Sequence, residues 1–386
     1  MPTAEDTQGG GRLIVFAAPG VRHTVGGIAA SSRNVELALR DLAAKRGLGF
    51  RTHVIGEVQL PEERSEGYLA HGDSKSRFAM ALLPELLRAK LAVFAHVRLA
   101  LPVLALPRPL RPKIVIFAHG SESWRRVRAL SRHLFRSADL VCTNSSYTLR
   151  NMQQTFTGFK GRVCELGLPA DYSPPQQPAM DSCPLKSADG VVRALGPRAM
   201  LHVGRMHSGE REKGQRELIA AMPLILQRVP EAQLVLVGDG TDRPGLQALA
   251  SESSAREHIF LPGEVPHSTL AYLYSASYAF VMPSRQEGFG LVYLEAMACG
   301  KPCIACHDDG GAEVVVDGET GILVSKPPRV EDLARACVEL MTKPDWAARL
   351  GEAGRQRLLS RFTAKDHVER VKTCVEPLLG DGMETK

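Results

Sequence analysis

The 386-residue sequence is poor in aromatic side chains, with Trp 2, Tyr 7 and Phe 12. Basic residues are not interleaved with those few rings and no recognition module appears, which argues against nucleic acid as a partner. Long apolar runs are missing too. The stretch that comes nearest, LAVFAHVRLALPVLALP, is interrupted by His96, Arg98 and two prolines, whereas a membrane-spanning helix needs about 18 or more uncharged apolar residues. The first eleven residues are polar and Gly-rich, carry Glu5 and Asp6, and lack the apolar stretch of a secretory leader, so a loose tail is expected there. Eight cysteines are too few for a disulfide scaffold in a chain of this size, and without export they are expected to stay reduced. The segment CIACH (Cys303, Cys306, His307) has the spacing of a haem attachment site, but it lies in an apolar stretch with the look of a buried strand. Core cysteines acting as small hydrophobes are the expected reading, with Cys299 included.

What is present describes a globular chain: 44% apolar and 23% charged residues. Its length suggests two domains. The net charge of +6 is uneven. Residues 1–180 hold 24 Lys and Arg against 14 Asp and Glu, a balance of +10, which leaves the remainder at −4. A basic N-terminal half fits an anionic partner, either a lipid surface or a phosphorylated acceptor, and a solvated basic face is the alternative. The expected location is the cytoplasm, with peripheral contact at the inner face of an anionic membrane.

Apolar β-rich runs alternate with helical patterns throughout, the mark of parallel α/β sheets. RLIVFAAP is followed by the loop GVRHTVGG and a helix on which Ile28, Ser31, Val35, Leu39 and Leu42 recur at helical spacing. THVIG, LAVFA, KIVIFAHG and DLVCTNS continue the first series of strands. AMLHVGR, AQLVLVGDG, HIFLPG, YAFVMPS, PCIAC and GILVS form a second. Between them, a stretch dense in proline and polar residues reads as a linker. The expected organisation is one Rossmann-like domain over 1–172, a linker over 173–197 and a second Rossmann-like domain over 198–365. A terminal helix over about 366–386 is expected to pack back on the first domain. Ligands in such sheets bind beyond the carboxyl ends of the strands, so the loops after LHV, FVM and FAH are expected to face a cleft between the domains.

The segment SRQEGFGLVYLEAMACG concentrates the chemistry. FVMPS reads as a strand, RQEGFG as a turn, and LVYLEAMACG as a helix ending at Gly300. Gly288 and Gly290 let a ligand approach the backbone, and the N–H groups of the helix start form an anion site. Glu287 lies on the turn and Glu295 inside the helix. Two acceptor-only carboxylates flanking a phosphate-binding helix start suit a ligand with hydroxyls at both ends of a diphosphate, which is a nucleotide sugar. The alternatives are a first-turn Glu287 complementing the helix dipole and an exposed helix charge at Glu295.

The run PSRQEGFGLVYLEAMACGKPCIA, with GGAEVVVDGETGILV after it, resembles the C-terminal signature of the retaining family 4 glycosyltransferases. The likeness continues through LHVGRMHSGEREKG, LVLVGDG, VCTNSSYTLRNM and the N-terminal double glycine. It implies a GT-B fold, two doubly wound domains facing across a cleft, with acceptor binding over 1–172 and nucleotide-sugar binding over 198–365. It implies that Glu287 binds hydroxyls of the transferred sugar beside the backbone of Gly288, Phe289, Gly290 and Leu291, and that Glu295 holds the ribose. Arg205 and Lys213 match the basic pair that clamps the donor diphosphate, although the spacer RMHSGERE is longer than usual. Gly263, Glu264 and Val265 match positions near the base, His119 a histidine aimed at the donor sugar, and Gly26 and Gly27 positions under the diphosphate and acceptor. Glu122 and Trp124 are acceptor-side candidates, and Asn144 and Ser145 are acceptor contacts or helix caps.

No Asp-x-Asp motif stands at a strand end, and Arg205, Lys213 and the helix start can stabilise a leaving diphosphate without metal. Neither a metal nor another cofactor is therefore expected; the nucleotide sugar is a co-substrate. No covalent nucleophile stands out, in keeping with retention by front-face attack. The expected function is hexosyl transfer to a glycan or lipid-linked acceptor. The alternatives are a small natural-product aglycone as acceptor, an epimerase or phosphorylase on the same fold, and a non-catalytic partner subunit.

Overall fold

The computed structural model describes residues 12–24, 26–60, 67–125, 127–174, 183–209 and 211–380. The tail expected over 1–11 and residues 175–182 of the expected linker lie outside them. The chain forms two compact units, residues 12–170 with 363–380 and residues 171–362.

Unit 1 runs β1 (Leu13–Ala18), α1 (Gly27–Lys45), β2 (Gly49–Val54), β3 (Tyr68–Ala70), α2 (Lys75–Arg88), β4 (Ala89–Phe94), β5 (Lys113–Ala118), α3 (Ala129–Ser137), β6 (Leu140–Thr143), α4 (Ser146–Thr155) and β7 (Gly161–Val163). Its strands pair in parallel in the order β3-β2-β1-β4-β5-β6-β7. β1 is buried along its whole length because helices cover both faces of the sheet, which is why it reads as an unbroken apolar run.

Unit 2 opens with a short antiparallel pair, β8 (Leu185–Lys186) and β9 (Val192–Arg193). There follow β10 (Ala199–Val203), α5 (Gln215–Leu226), β11 (Gln233–Val237), α6 (Arg243–Glu252), β12 (Ile259–Gly263), α7 (His267–Ala276), β13 (Ala279–Val281), α8 (Leu291–Ala298), β14 (Cys303–Cys306), α9 (Gly311–Val314), β15 (Gly321–Val324), α10 (Val330–Thr342) and α11 (Pro344–Arg361). The parallel order is β12-β11-β10-β13-β14-β15. In both sheets the chain starts in the middle and later reverses its direction of travel, beside β1 in one and β10 in the other. Each unit therefore has a switch point where loops diverge and leave a crevice.

The last helix, α12 (Ala364–Val375), belongs to unit 1. A capping box between Thr363 and Asp366 starts it. Val368, Val371 and Val375 join Val35, Leu39 and Leu42 of α1 in one buried cluster. The helix stops short of the expected 386, giving way to a 3-10 turn at Glu376–Leu379 that contains Pro377, which has no N–H to continue the helical ladder.

The second half of the expected linker is corrected. Residues 183–193 pack on unit 2: Cys183, Leu185 and Ala188 are buried, and the Ala188 N–H donates to the Ile259 carbonyl at 2.8 Å. Strands of two residues are too short to show periodicity in the sequence. The CIACH segment is β14, with Cys303 and Cys306 fully buried and their thiols pushed up by that burial. Among the described residues, no helix is long and apolar enough to cross a membrane.

Candidate active site

The crevice of unit 2 lies where the loops after β10 and β13 leave neighbouring strands. The turn 282–290 leads into α8, whose N-cap is Gly290 at φ 91°. That left-handed conformation favours glycine, and no side chain caps the helix start. The first turn of α8 contains no acidic residue, so Glu287 is no dipole complement. It lies before the helix, and its carboxylate is ion-paired with Lys213 Nζ. Two expected site residues separated by 74 positions are thus joined.

Several groups hold Lys213 in place. His202, buried in β10, donates Nε2–H to the Lys213 carbonyl at 3.1 Å, and burial lowers its pKa to about 4, so the ring is neutral. Gln215 donates to the Arg205 carbonyl at 3.2 Å, and the Arg285 N–H donates to the Glu212 carbonyl at 2.7 Å. The loop carrying Arg205 and Lys213 is thereby tied to the turn carrying Glu287. The Arg205 side chain itself is exposed.

Glu295 lies one turn into α8. It is not an exposed charge: the Tyr274 hydroxyl donates to its carboxylate at 2.7 Å, and burial raises its pKa. Tyr172 donates to the Glu295 carbonyl at 3.3 Å. Gly288 is buried in the turn, and the Phe289 ring packs edge-on against Phe362 with centroids 5.7 Å apart, so only its backbone is available to a ligand. Leu291 is buried as well. Gly263 closes β12 under the Arg243 guanidinium, with Glu264 exposed and Val265 half-buried after it.

Sequence reasoning missed His202, Tyr274 and Asp309. The Asp309 carboxylate is 3% exposed. One oxygen accepts the Gly310 N–H at 2.6 Å, while the other has no hydrogen-bond partner among the described residues. Burial, followed by the nearby Glu287 charge, raises its pKa to about 7. A Cβ on Gly310 would lie 2.2 Å from the Gly288 carbonyl, so this backbone lies flush against the Glu287 turn.

Unit 1 treats its expected site residues differently. Gly26 is the exposed N-cap of α1, with Gly27 its first residue and no side chain capping them. His119 donates Nε2–H to the Ala95 carbonyl at 2.9 Å, and burial keeps it neutral. Glu122 is occupied within its own loop, accepting from the N–H groups of His119 at 2.8 Å and Gly120 at 2.9 Å. The Trp124 ring is 8% exposed and packs edge-on against Tyr147 in the core of unit 1. Ser145 is the N-cap of α4, accepting the Thr148 N–H at 3.0 Å, and Asn144 bonds the Thr148 hydroxyl and the His119 carbonyl. Both are buried. Glu57, which carried no motif, accepts N–H bonds from Val21, Arg22, His23 and Thr24 and a hydroxyl bond from Tyr68.

Two doubly wound parallel units of this kind are the GT-B glycosyltransferase fold. Sucrose-phosphate synthase from Thermosynechococcus elongatus superposes with a TM-score of 0.75 at 22% identity, covering 95% of this chain and 99% of that one. Residues 191–357 match the family of glycosyl transferases group 1. A GDP-mannose-dependent alpha-(1-6)-phosphatidylinositol monomannoside mannosyltransferase of Mycolicibacterium smegmatis is 37% identical over 157 residues, 39% of this chain and 41% of that protein. A glycogen synthase of Mycobacterium tuberculosis is 36% identical over 167 residues, 43% of this chain and 39% of that one. The chain thus spans about two fifths of the length of these relatives.

Proposed function

We propose that the chain is a retaining glycosyltransferase that moves a hexosyl unit from a nucleotide-diphosphate sugar to an acceptor hydroxyl in polysaccharide or glycolipid assembly. The observation that carries this reading is the Lys213–Glu287 pair, held beside the uncapped start of α8 at the unit 2 switch point. Without donor the two side chains neutralise each other. On donor binding Glu287 turns to sugar hydroxyls and Lys213 to the diphosphate, with Arg205 as the second cation. The bond from the anomeric carbon to the phosphate oxygen breaks, the acceptor oxygen bonds that carbon on the same face, and its proton passes to the departing diphosphate. Fixed cations and the α8 N–H groups stabilise the charge that develops there, so no divalent metal is required. Glu295, oriented by Tyr274, takes the ribose, and Gly263 to Val265 lie along the base. The names of the two curated relatives support a nucleotide-sugar donor and a glycan or lipid acceptor. The charge of the N-terminal half supports peripheral contact with an anionic membrane from the cytoplasmic side.

The test is turnover of a panel of nucleotide sugars by the purified chain with excess chelator, with the product anomer read by NMR. A product with the donor's configuration is expected. An inverted product, or activity lost on chelation and restored by one metal, would refute those parts of the reading. Glycosyl transfer to inorganic phosphate would mark a phosphorylase instead.

A further inference from the structure

We infer that the strand-start end of the unit 1 sheet is a docking surface for an anionic lipid bilayer. This deepens the membrane contact proposed above and rests on it. A groove of about 930 Å³ opens at that end. β1, β4 and β5 are parallel neighbours, so Arg12, Lys90 and Lys113, each at the start of its strand, stand side by side along it. Arg88 from the end of α2, Arg108 and Arg111 on either side of Leu110, and Arg136 from α3 complete its basic lining. Asp139 is the one acidic residue among those lining it, paired with Lys113 at 2.9 Å.

The lining therefore holds seven basic residues against one acidic, a net +6. That equals the formal charge of the whole chain, since 41 residues of each sign remain elsewhere. Arg111 and Arg136 donate Nε–H to the carbonyls of Leu106 at 2.9 Å and Thr157 at 2.8 Å. Those bonds orient the guanidinium groups without neutralising them. Crowded like charge disfavours the fold unless anions come from outside.

The apolar lining selects a bilayer over a soluble polyanion. Leu87 and Leu110 line the same groove at 53% and 55% exposure. A hydrated polyanion leaves leucine in water, whereas the boundary between headgroups and acyl chains accepts leucine and guanidinium together. The loops at Gly26, His119 and Asn144 leave the opposite ends of these strands. β5 alone separates the two ends by about 17 Å at its rise per residue, so docking leaves that other edge clear.

The full chain should co-sediment with vesicles of phosphatidylcholine mixed with phosphatidylglycerol, and not with phosphatidylcholine alone. Neutralising Arg12→Gln and Arg108→Gln together should weaken binding about 25-fold, roughly fivefold for each charge near an anionic surface. Leu110→Ser should weaken it about fivefold. Both variants should keep the wild-type circular dichroism and the wild-type donor turnover with a soluble acceptor. Equal partition onto neutral vesicles overturns the proposal, as does unchanged binding by the double variant. Binding of inorganic polyphosphate with none to mixed vesicles overturns it too, and marks a soluble-polyanion site. A wild type that binds mixed vesicles through the groove yet turns over no donor supports this surface and counts against the transferase reading alone.

Discussion

The two units share a sheet plan, yet they use the carboxylates beside their switch points in opposite ways. In unit 1, Glu57 is saturated by four backbone N–H groups and a tyrosine hydroxyl. Burial alone would raise its pKa, but the bonds from Tyr68 and the loop override it and lower the value to about 2. In unit 2, Asp309 is as deeply buried, keeps one oxygen unpaired, and has its pKa raised to about 7. Glu287 is held by its ion pair with Lys213. A carboxylate bonded from all sides shapes a loop. One held by a lysine, or left with an oxygen unpaired, fits the donor contact proposed above.

The largest expected effect tests the exchangeable pair. Lys213→Ala should lower kcat by about 10²–10³ while changing the donor KM far less, because a fixed cation matters most as the leaving group gains charge. Arg205→Ala should act in the same direction. Steady-state kinetics with circular dichroism as the fold check decides it. Wild-type kcat in both variants would reduce unit 2 to the same structural use of charge as unit 1.

Glu57→Gln comes next and should act on stability, lowering it by about 2–4 kcal/mol, since glutamine cannot replace an ion receiving several charge-assisted bonds. The folded pKa lies below the unfolded one, so this contribution is complete above about pH 4.5 and is lost as pH falls through 2. Thermal melts across that window should slope steeply in the wild type and less in the variant. Asp309 predicts the reverse slope. Its folded pKa is raised, so it favours the fold below about pH 4, and that contribution declines as pH rises to about 7. Asp309→Asn should therefore raise Tm at pH 7 and above and flatten the melt profile between pH 4 and 7. A variant less stable at pH 8 would show that the unpaired oxygen has a partner the comparison leaves out. The smallest effect belongs to Tyr274→Phe, which frees Glu295 from its orienting bond. A rise of about two- to fivefold in donor KM with kcat unchanged is expected.

Strand periodicity and the joint signature around Glu287 and Glu295 were legible because they depend on repetition or on several residues close in sequence. Eleven apolar runs read as strands are strands, from RLIVFAAP in β1 to GILVS in β15. The short β3, β7, β8 and β9 were not visible, since two or three residues cannot display an alternation. Glu57 and Asp309 escaped notice for a different reason. Their meaning lies in the surroundings that the fold closes around each carboxylate, and sequence spacing does not reveal those. Glu122 and Trp124 were acceptor-side candidates through the resemblance alone; the fold places the tryptophan in the core and folds the glutamate back on its own loop.

The last helix has a consequence for how the protein is made. Asn34 on α1 bonds the carbonyls of Gly167 and Leu168 and the His367 ring, which lies 333 positions away. Nearby, Arg46 pairs with Glu376 at 2.9 Å, and Lys372 pairs with Asp41. Unit 1 is therefore begun before unit 2 on the ribosome and completed after it. Domains that fold during synthesis usually do so from the N-terminus onward, but here the outer face of α1 waits, uncovered, until the whole of unit 2 has been translated. A stop codon that removes α12 should leave unit 2 intact and send nascent unit 1 to aggregation or proteolysis, so a truncation that falls after unit 2 would damage the unit that precedes it.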